Sequence, residues 1–530
     1  MAGEPQWRRL HPAGLIVALA KSAKALAGLI VAIGMIVMGR MSSDGPNGSG
    51  MAPMLIGIAL AIVVMLVLVT PIVQWLTTRY ALTDRELIWE SGLFFRNRRT
   101  MSYDRIHAIN SVSPWYLQPF GVVGLTISAG GSSESDITLD AVDAAVQLEL
   151  ESLRAKAGAA NDSNTFDTQA SEPSEHIKPV RDMQSEHAPV FTASPRDILL
   201  YALSDIAFLA SALVIWGFWN RISDVLPGWL VRRTEDTVLG LFAQGALAIA
   251  MFALFCVIVM LMVSLVSAFL RFYGFAIWRR GDDLVISRGL ITKQVTTLPV
   301  SRIQSVEIRR NVLRRLLHLC TVRVGLSVVA GAGDDDDDDD DGNAQSASVL
   351  LPVIGSKRVY DVMAKVLPEW DLAPVRTHRT GRGLGRYYLA APLVALLASL
   401  MALGVVLLRT RTQWHPPLPL AVAAALATLA MLWWMATRAL KWRTEGFALL
   451  DGSHRIEATG AEQLTLVTLV THRSRVQSFT RSTTAWREPH GVESVNMPLF
   501  VAVGTSAVGF HAMHRADANR LEEWMTSEAG

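Results

Sequence analysis

A membrane protein in which helical hairpins alternate with α+β soluble modules is the fold class the sequence predicts. Six transmembrane helices form three hairpins, each followed by a β-rich module closed by a C-terminal helix. Three observations predict it. Hydrophobic residues make up 51% of the 530-residue chain, six apolar runs are each long enough to cross about 30 Å of hydrocarbon, and the segment after the first pair of runs recurs. Gly92-Leu93 returns as Gly289-Leu290 and Arg105-Ile106 as Arg302-Ile303, both 197 residues on (289 − 92 and 302 − 105). An ungapped register of this kind marks an internal repeat. A weaker third copy, Arg475-Val476-Gln477-Ser478-Phe479, matches Arg302-Ile303-Gln304-Ser305-Val306, and its upstream glycine, Gly460, lies two residues farther from the arginine.

In chain order, the first hairpin pairs Leu15–Met38 with Met54–Val73 across a Gly/Ser loop. Lys21 and Lys24 interrupt the first run near its start, where they snorkel to the interface. The second hairpin pairs Ile198–Trp219 with Val238–Phe269, and the third pairs Tyr388–Leu408 with Leu418–Ala436. The predicted division is therefore hairpin 1 over 1–77, module 1 over 78–157, a disordered linker over 158–195, hairpin 2 over 196–270 and module 2 over 271–370. A second linker over 371–387, hairpin 3 over 388–438 and module 3 over 439–528 complete it. The linker 158–195 is rich in Ser, Asn, Asp, Glu and Pro, a composition too poor in apolar residues to order itself. Segments joining the helices within each pair carry few basic residues. The other side carries Arg8, Arg9, Arg79, Arg85, Arg271, Arg279, Arg280, Arg376, Arg379, Arg438, Lys441 and Arg443 among others, so the positive-inside rule puts the termini and all three modules in the cytoplasm.

Within module 1, Glu86–Phe94 alternates and turns at Ser91-Gly92, as a hairpin of half-buried strands does. Asp140–Ala157 changes period, with Val142, Val146, Leu150 and Leu153 on one helical face and Asp140 placed to cap its start. Module 2 repeats this order and ends in a helix near Lys357–Leu367 bearing Val359, Met363, Val366 and Leu367. Module 3 ends in a helix over Ala516–Ser527 bearing Leu521, Trp524 and Met525. Each helix covers the apolar face of a half-exposed sheet.

Composition narrows the function. Lys and Arg number 49 against 47 Asp and Glu, for a net charge of +2, which gives no broad field for nucleic acid. Cys256 and Cys320 form no C-x-x-C motif and read as small buried residues. No zincin, nucleophile-elbow, P-loop or dinucleotide motif is present, so the chain reads as non-enzymatic, with no cofactor and no metal. His511 and His514 lack a third ligand nearby and read as edge histidines. Gly381–Gly385 reads as a flexible loop before a spanning helix. The aspartate run 334–341 reads as a solvated hairpin tip, with a weak divalent-cation site as the alternative. Asp205, two turns into the third span, is the one position that points to a transporter or export component built on the six-helix bundle; an interfacial contact is the other reading.

Two basic clusters carry the binding expectation. Arg96, Arg98 and Arg99 follow the first strand hairpin, and Arg309, Arg310, Arg314 and Arg315 follow the second copy of the repeat motif. Tethered near a bilayer, each cation within reach of anionic headgroups contributes about 1 kcal/mol. A solvated basic face is the alternative. Arg105, Arg302 and Arg475 share one register and read as structural, closing a strand or turn.

Tyr80-Ala81-Leu82-Thr83, Gly92-Leu93, Arg105-Ile106 and Gly124-Leu125-Thr126-Ile127, with their second-copy counterparts, resemble the bacterial pleckstrin-homology-like membrane-flanked domain, and the threefold order of helix pair and module resembles its multi-copy members. The resemblance implies PH-like β-sandwich or barrel modules capped by a helix, in a bacterial inner (cytoplasmic) membrane protein. It brings no catalytic residues and no cofactor. The expected function is a non-enzymatic scaffold or binding protein for membrane partners, self-association or anionic lipid, in envelope maintenance or stress resistance.

Overall fold

The computed structural model describes residues 6–19, 22, 63–65, 67, 69–93, 96–106, 108–129, 136–162, 188–204, 246–327, 348–412, 418–450, 452, 454–501 and 504–526. They divide after Leu298 into two compact units.

The first unit opens with a four-stranded antiparallel sheet, β1 (Arg8–Arg9), β2 (Arg79–Leu82), β3 (Glu86–Ser91) and β4 (Asn97–Ser102), in that order. It packs against β5 (Ala108–Pro114), β6 (Val122–Ser128) and β7 (Ile137–Asp143). Ile137 and Leu139 alternate inward along β7 and join Tyr80, Leu87, Met101, Ile109, Leu125 and Ile127 in one core. Helix α1 (Ala144–Asp162) closes this core with Val146 and Leu150. It starts later than the apolar spacing predicts: Asp140 and Val142 belong to β7, and the Asp143 carboxylate accepts the Ala145 N–H at 3.1 Å. Strand pairing to β6 outweighs helical periodicity there.

β8 (Phe191–Thr192), β9 (Ala276–Arg280), β10 (Asp283–Arg288) and β11 (Thr292–Pro299) do not form a separate sheet. They extend β7-β6-β5 into one seven-stranded sheet through antiparallel pairing of β5 with β11. Arg154 and Glu151 of α1 add ion pairs to Asp283 (2.6 Å) and Arg280 (2.9 Å).

The second unit repeats this junction. β12 (Ile303–Arg310), β13 (Leu319–Leu326) and β14 (Val349–Gly355) join β15 (His378–Arg379), β16 (Gly446–Leu450), β17 (Arg455–Glu462) and β18 (Thr465–His472) in a second seven-stranded sheet, through β12 and β18. A three-stranded sheet, β19 (Thr480–Ser482), β20 (Val492–Pro498) and β21 (Ala507–His514), packs on Phe447, Ile456 and Leu469. Residues Leu521 and Trp524 of the terminal helix Arg515–Thr526 cover that core. The helix expected near Lys357–Leu367 spans Val359–Val366, with Val359, Met363 and Val366 buried.

The repeat motif has a backbone cause. Gly92 and Gly289 take φ of 113° and 102°, a region closed to side chains, and a Cβ at Gly289 would stand 2.1 Å from the Thr292 carbonyl oxygen. Arg105, Arg302 and Arg475 each end a 3-10 turn, and Ile106 and Ile303 behind the first two are buried. In the third copy Gly460 lies inside β17, and Gln463 at φ 53° makes the turn instead.

Three helices among the described residues are long and apolar enough to cross a membrane: Leu254–Phe272, Gly385–Leu408 and Ala423–Thr444. Six were expected. The runs 15–38, 54–73 and 198–219 fall largely outside the described residues, as do Asp205 and the aspartate run 334–341; 63–77 is a shorter apolar helix. Of the linker 158–195, the ends are described, as α1 through Asp162 and as β8. Helix Gly385–Thr412 packs along Leu418–Thr444, which runs past Ala436 through Arg438, Lys441 and Arg443. At the base of every helix pair, the strand before it pairs with the strand after it: Arg9 with Arg79, Thr192 with Ala276, Arg379 with Gly446.

Gly381 and Gly385 have a packing role beyond loop flexibility. A Cβ on Gly381 would meet the Trp442 carbonyl oxygen at 2.6 Å, one on Gly385 would meet its ring at 3.0 Å, and the Trp442 indole N–H donates to the Gly381 carbonyl at 2.8 Å.

Candidate functional site

The two basic clusters fall in different units. In the first, Arg98 and Arg99 lie on β4, the outer strand of the four-stranded sheet, and Arg96 precedes it; all three are exposed. The Arg99 guanidinium sits 5.5 Å from the Trp89 ring centroid and donates to the Asp136 carbonyl at 2.9 Å. Charge on an outer strand discourages pairing with another chain. The strands that join the repeats, β5 with β11 and β12 with β18, meet mostly through hydroxyl and apolar residues, with Lys293, Glu307, Arg309 and Arg310 the charged positions along the two contacts.

In the second unit the predicted cluster is pulled apart. Arg309, on β12, pairs with Glu462 and lies 3.5 Å from Glu307. Glu307 is wholly buried and accepts the Thr505 N–H at 2.5 Å. Arg309, Glu462 and Thr505 line a polar cavity of about 490 Å³ together with Arg323, Gln463, Thr465 and Gly504. Arg310, one residue on, faces Glu457, whose carboxyl is pushed up to about 7 by burial against the opposing pull of Arg310. Arg314 lies on the short helix Val312–Leu316, whose start Asn311 caps by accepting the Arg314 N–H at 2.7 Å. Its side chain is 7% exposed and donates to Thr321 Oγ1 at 2.7 Å. Arg315 alone of the four is exposed. Its neighbours Val312, Leu313 and Leu316 are exposed and apolar, so the helix presents one cation among aliphatic side chains.

The buried carboxylates Glu307, Glu445 and Glu457 were missed from sequence. The signal was present, since Ser305-Val306-Glu307-Ile308 and Ile456-Glu457-Ala458 each carry an acid inside a strand-forming run. Glu445 is held high by burial, and its hydrogen bonds to Tyr388 and to the His511 N–H, with the charges of Lys441 and Arg438, pull the other way. Among the described residues no group of three His, Cys, Asp or Glu is placed to hold a metal ion. Cys320 is buried, and burial raises its thiol to about 11.

Residues 20–156 and 235–355 match the family model for the bacterial PH domain. The chain is 26% identical over 401 residues to the UPF0699 transmembrane protein YdbT of Bacillus subtilis (strain 168), an alignment covering 75% of this chain and 76% of that one. No solved structure matches.

Proposed function

We propose, for a chain whose two matched regions belong to the bacterial PH domain family, that it is a six-span membrane scaffold holding PH-like modules against the cytoplasmic face of the inner membrane. There it binds membrane partners or anionic lipid and performs no bond-making chemistry. One observation carries this reading: the outer strand of one repeat pairs with a strand of the next at both junctions, β5 with β11 and β12 with β18. Strands locked edge to edge cannot swivel separately, so within each unit the paired repeats present their surfaces at a fixed register. Pairing at the base of each helix pair supports an even number of crossings per pair, hence six. The relative's description as a transmembrane protein agrees with it.

The exposed cations Arg98 and Arg315 are the proposed contacts, with Arg96 and Arg99 beside the first. A photo-crosslinking residue at position 98 or 315 of the full chain, activated in intact membranes, is expected to yield recurring membrane-protein or lipid adducts. Adducts no more frequent than from an exposed control position on the helix Arg515–Thr526, Asn519 for example, would overturn the binding role.

A further inference from the structure

The third repeat contains a groove of about 430 Å³ where its helix pair meets its sheets, and the predicted arginine clusters do not line it. Arg386 and Tyr387 come from the first turn of Gly385–Thr412, Trp434 and Arg438 from the last turns of Leu418–Thr444, and Trp486 and Arg487 from the turn between β19 and β20. No carboxylate lines it. The nearest acid engaged with these groups, Glu445, is turned into the core, with its oxygens on the Tyr388 hydroxyl and the His511 N–H.

Arg386 and Arg487 are held in place, Arg438 acts through its charge on the buried Glu445, and no carboxylate hydrogen-bonds to any of the three among the described residues. Arg386 donates to the Tyr387 hydroxyl at 2.8 Å and lies 4.8 Å from the centroid of that ring, while Arg487 lies 5.5 Å from it. Arg487 also donates to the His511 carbonyl at 3.1 Å, and its other terminal nitrogen is 3.3 Å from His511 Nε2. Arginine only donates, so that ring nitrogen accepts and the imidazole is neutral. Burial together with Arg438, Arg487 and Lys441 holds His511 down at about 4, as a site with excess positive charge requires. Arg438 makes no ion pair and no hydrogen bond among the described residues. Trp486 is 69% exposed although it lies beside a helix pair with the apolar content of a membrane span. Tryptophan in that position belongs to the headgroup level of a bilayer.

We propose that this groove holds the phosphate of one anionic phospholipid headgroup, with Arg386, Arg438 and Arg487 as its cationic partners and Trp434 and Trp486 beside the glycerol region. Planar guanidinium donors match phosphate oxygens. The wall formed by Ala390, Ala391 and Pro392 continues into the apolar flank of the helix, where Val394 and Leu397 are exposed and acyl chains have a place to lie. The assignment rests on the membrane-anchored reading above.

Native mass spectrometry of the full chain released from detergent, titrated with phosphatidylglycerol or phosphatidylcholine, tests it. One phosphatidylglycerol is expected to be retained in preference to phosphatidylcholine, and Arg438→Gln should weaken that binding about fivefold, the loss of one cation near the headgroup. Arg438 has no structural bond to lose, and thermal unfolding of the variant checks its fold. Equal retention of the two lipids, or unchanged binding by a folded Arg438→Gln, would overturn the proposal. So would full competition by glycerol 3-phosphate, which would assign the groove to a soluble phosphate compound. Alkaline carbonate extraction separates the two readings: a chain stripped from membranes sinks the anchored reading itself, whereas a retained chain with unchanged binding sinks the groove alone.

Discussion

Tyr388, at the start of the third helix pair, places its hydroxyl against the carboxylate of Glu445, the single residue between the end of that pair and β16. The Ala512 N–H of β21 donates to the same hydroxyl at 3.1 Å. A buried polar link thus ties both helices of the pair to the last sheet. Removing one partner of a buried hydrogen bond leaves the other desolvated. Tyr388→Phe is therefore expected to destabilise the full chain by about 1–3 kcal/mol. Tyr387→Phe removes a hydroxyl that among the described residues meets only the exposed Arg386, and should stay within about 0.5 kcal/mol. Thermal unfolding of both purified variants makes the comparison.

The pairing of β5 with β11 sets Ser113 opposite Lys293. Directly opposed residues on antiparallel strands have Cα atoms about 4.5–5.5 Å apart, inside the range a disulfide spans. Ser113→Cys with Lys293→Cys is expected to form that bond on mild oxidation, read by mass spectrometry of the linked peptides. Ser113→Cys with Thr297→Cys should not, because Thr297 pairs with Ile109, about 13 Å along the strand. Linkage in the second pair at the level of the first would show that the two repeats slide against each other.

Arg314 and Arg315 look alike in the sequence and differ in the fold. Arg314 donates to Thr321 from a buried position, so Arg314→Ala is expected to cost about 2–3 kcal/mol. Arg315→Ala, from an exposed position, should cost less than about 0.5 kcal/mol. Urea unfolding midpoints of the two variants decide between them. Comparable losses would mean that Arg315 too is engaged inward.

The contrast marks where sequence reading stops. Period and turn chemistry are local, so the positive-φ glycines Gly92 and Gly289, the 3-10 turns ending at Arg105, Arg302 and Arg475, and the covering helices were legible from residues near each other in the chain. The junction of β5 with β11 joins residues nearly two hundred positions apart, and no periodicity within a repeat records which edge its strands will meet. Val142 shows the same limit on a smaller scale, for its helical spacing to Val146 holds while pairing with Val123 of β6 keeps it in a strand. In the cluster after the second repeat motif, charge identified the residues, and only packing distinguished Arg309 and Arg314, turned toward partners, from Arg315. The groove cations Arg386, Arg438 and Arg487 were invisible as a set because three separate elements supply them.

Glu457 gives the fold a pH dependence whose sign follows from its position. The side chain is 5% exposed on β17, and no ion pair reaches it among the described residues. Burial raises its carboxyl from 4.5 to about 7, and the charge of Arg310 recovers only part of the shift. Below about pH 4.5 the group is protonated whether the chain is folded or not, so it contributes no difference. Between 4.5 and 7 the unfolded chain releases a proton that the folded chain retains, and stability falls as pH rises. Above 7 the loss is complete and amounts to at most about 3 kcal/mol. Glu457→Gln keeps the shape and removes the titration. The variant is expected to unfold near the parent's temperature at pH 5 and several degrees above it at pH 8, with other titrating groups common to both. A gap that does not change with pH would mean that Arg310 keeps the carboxylate ionised in the folded chain, and that the two form a buried pair in place of a strained acid.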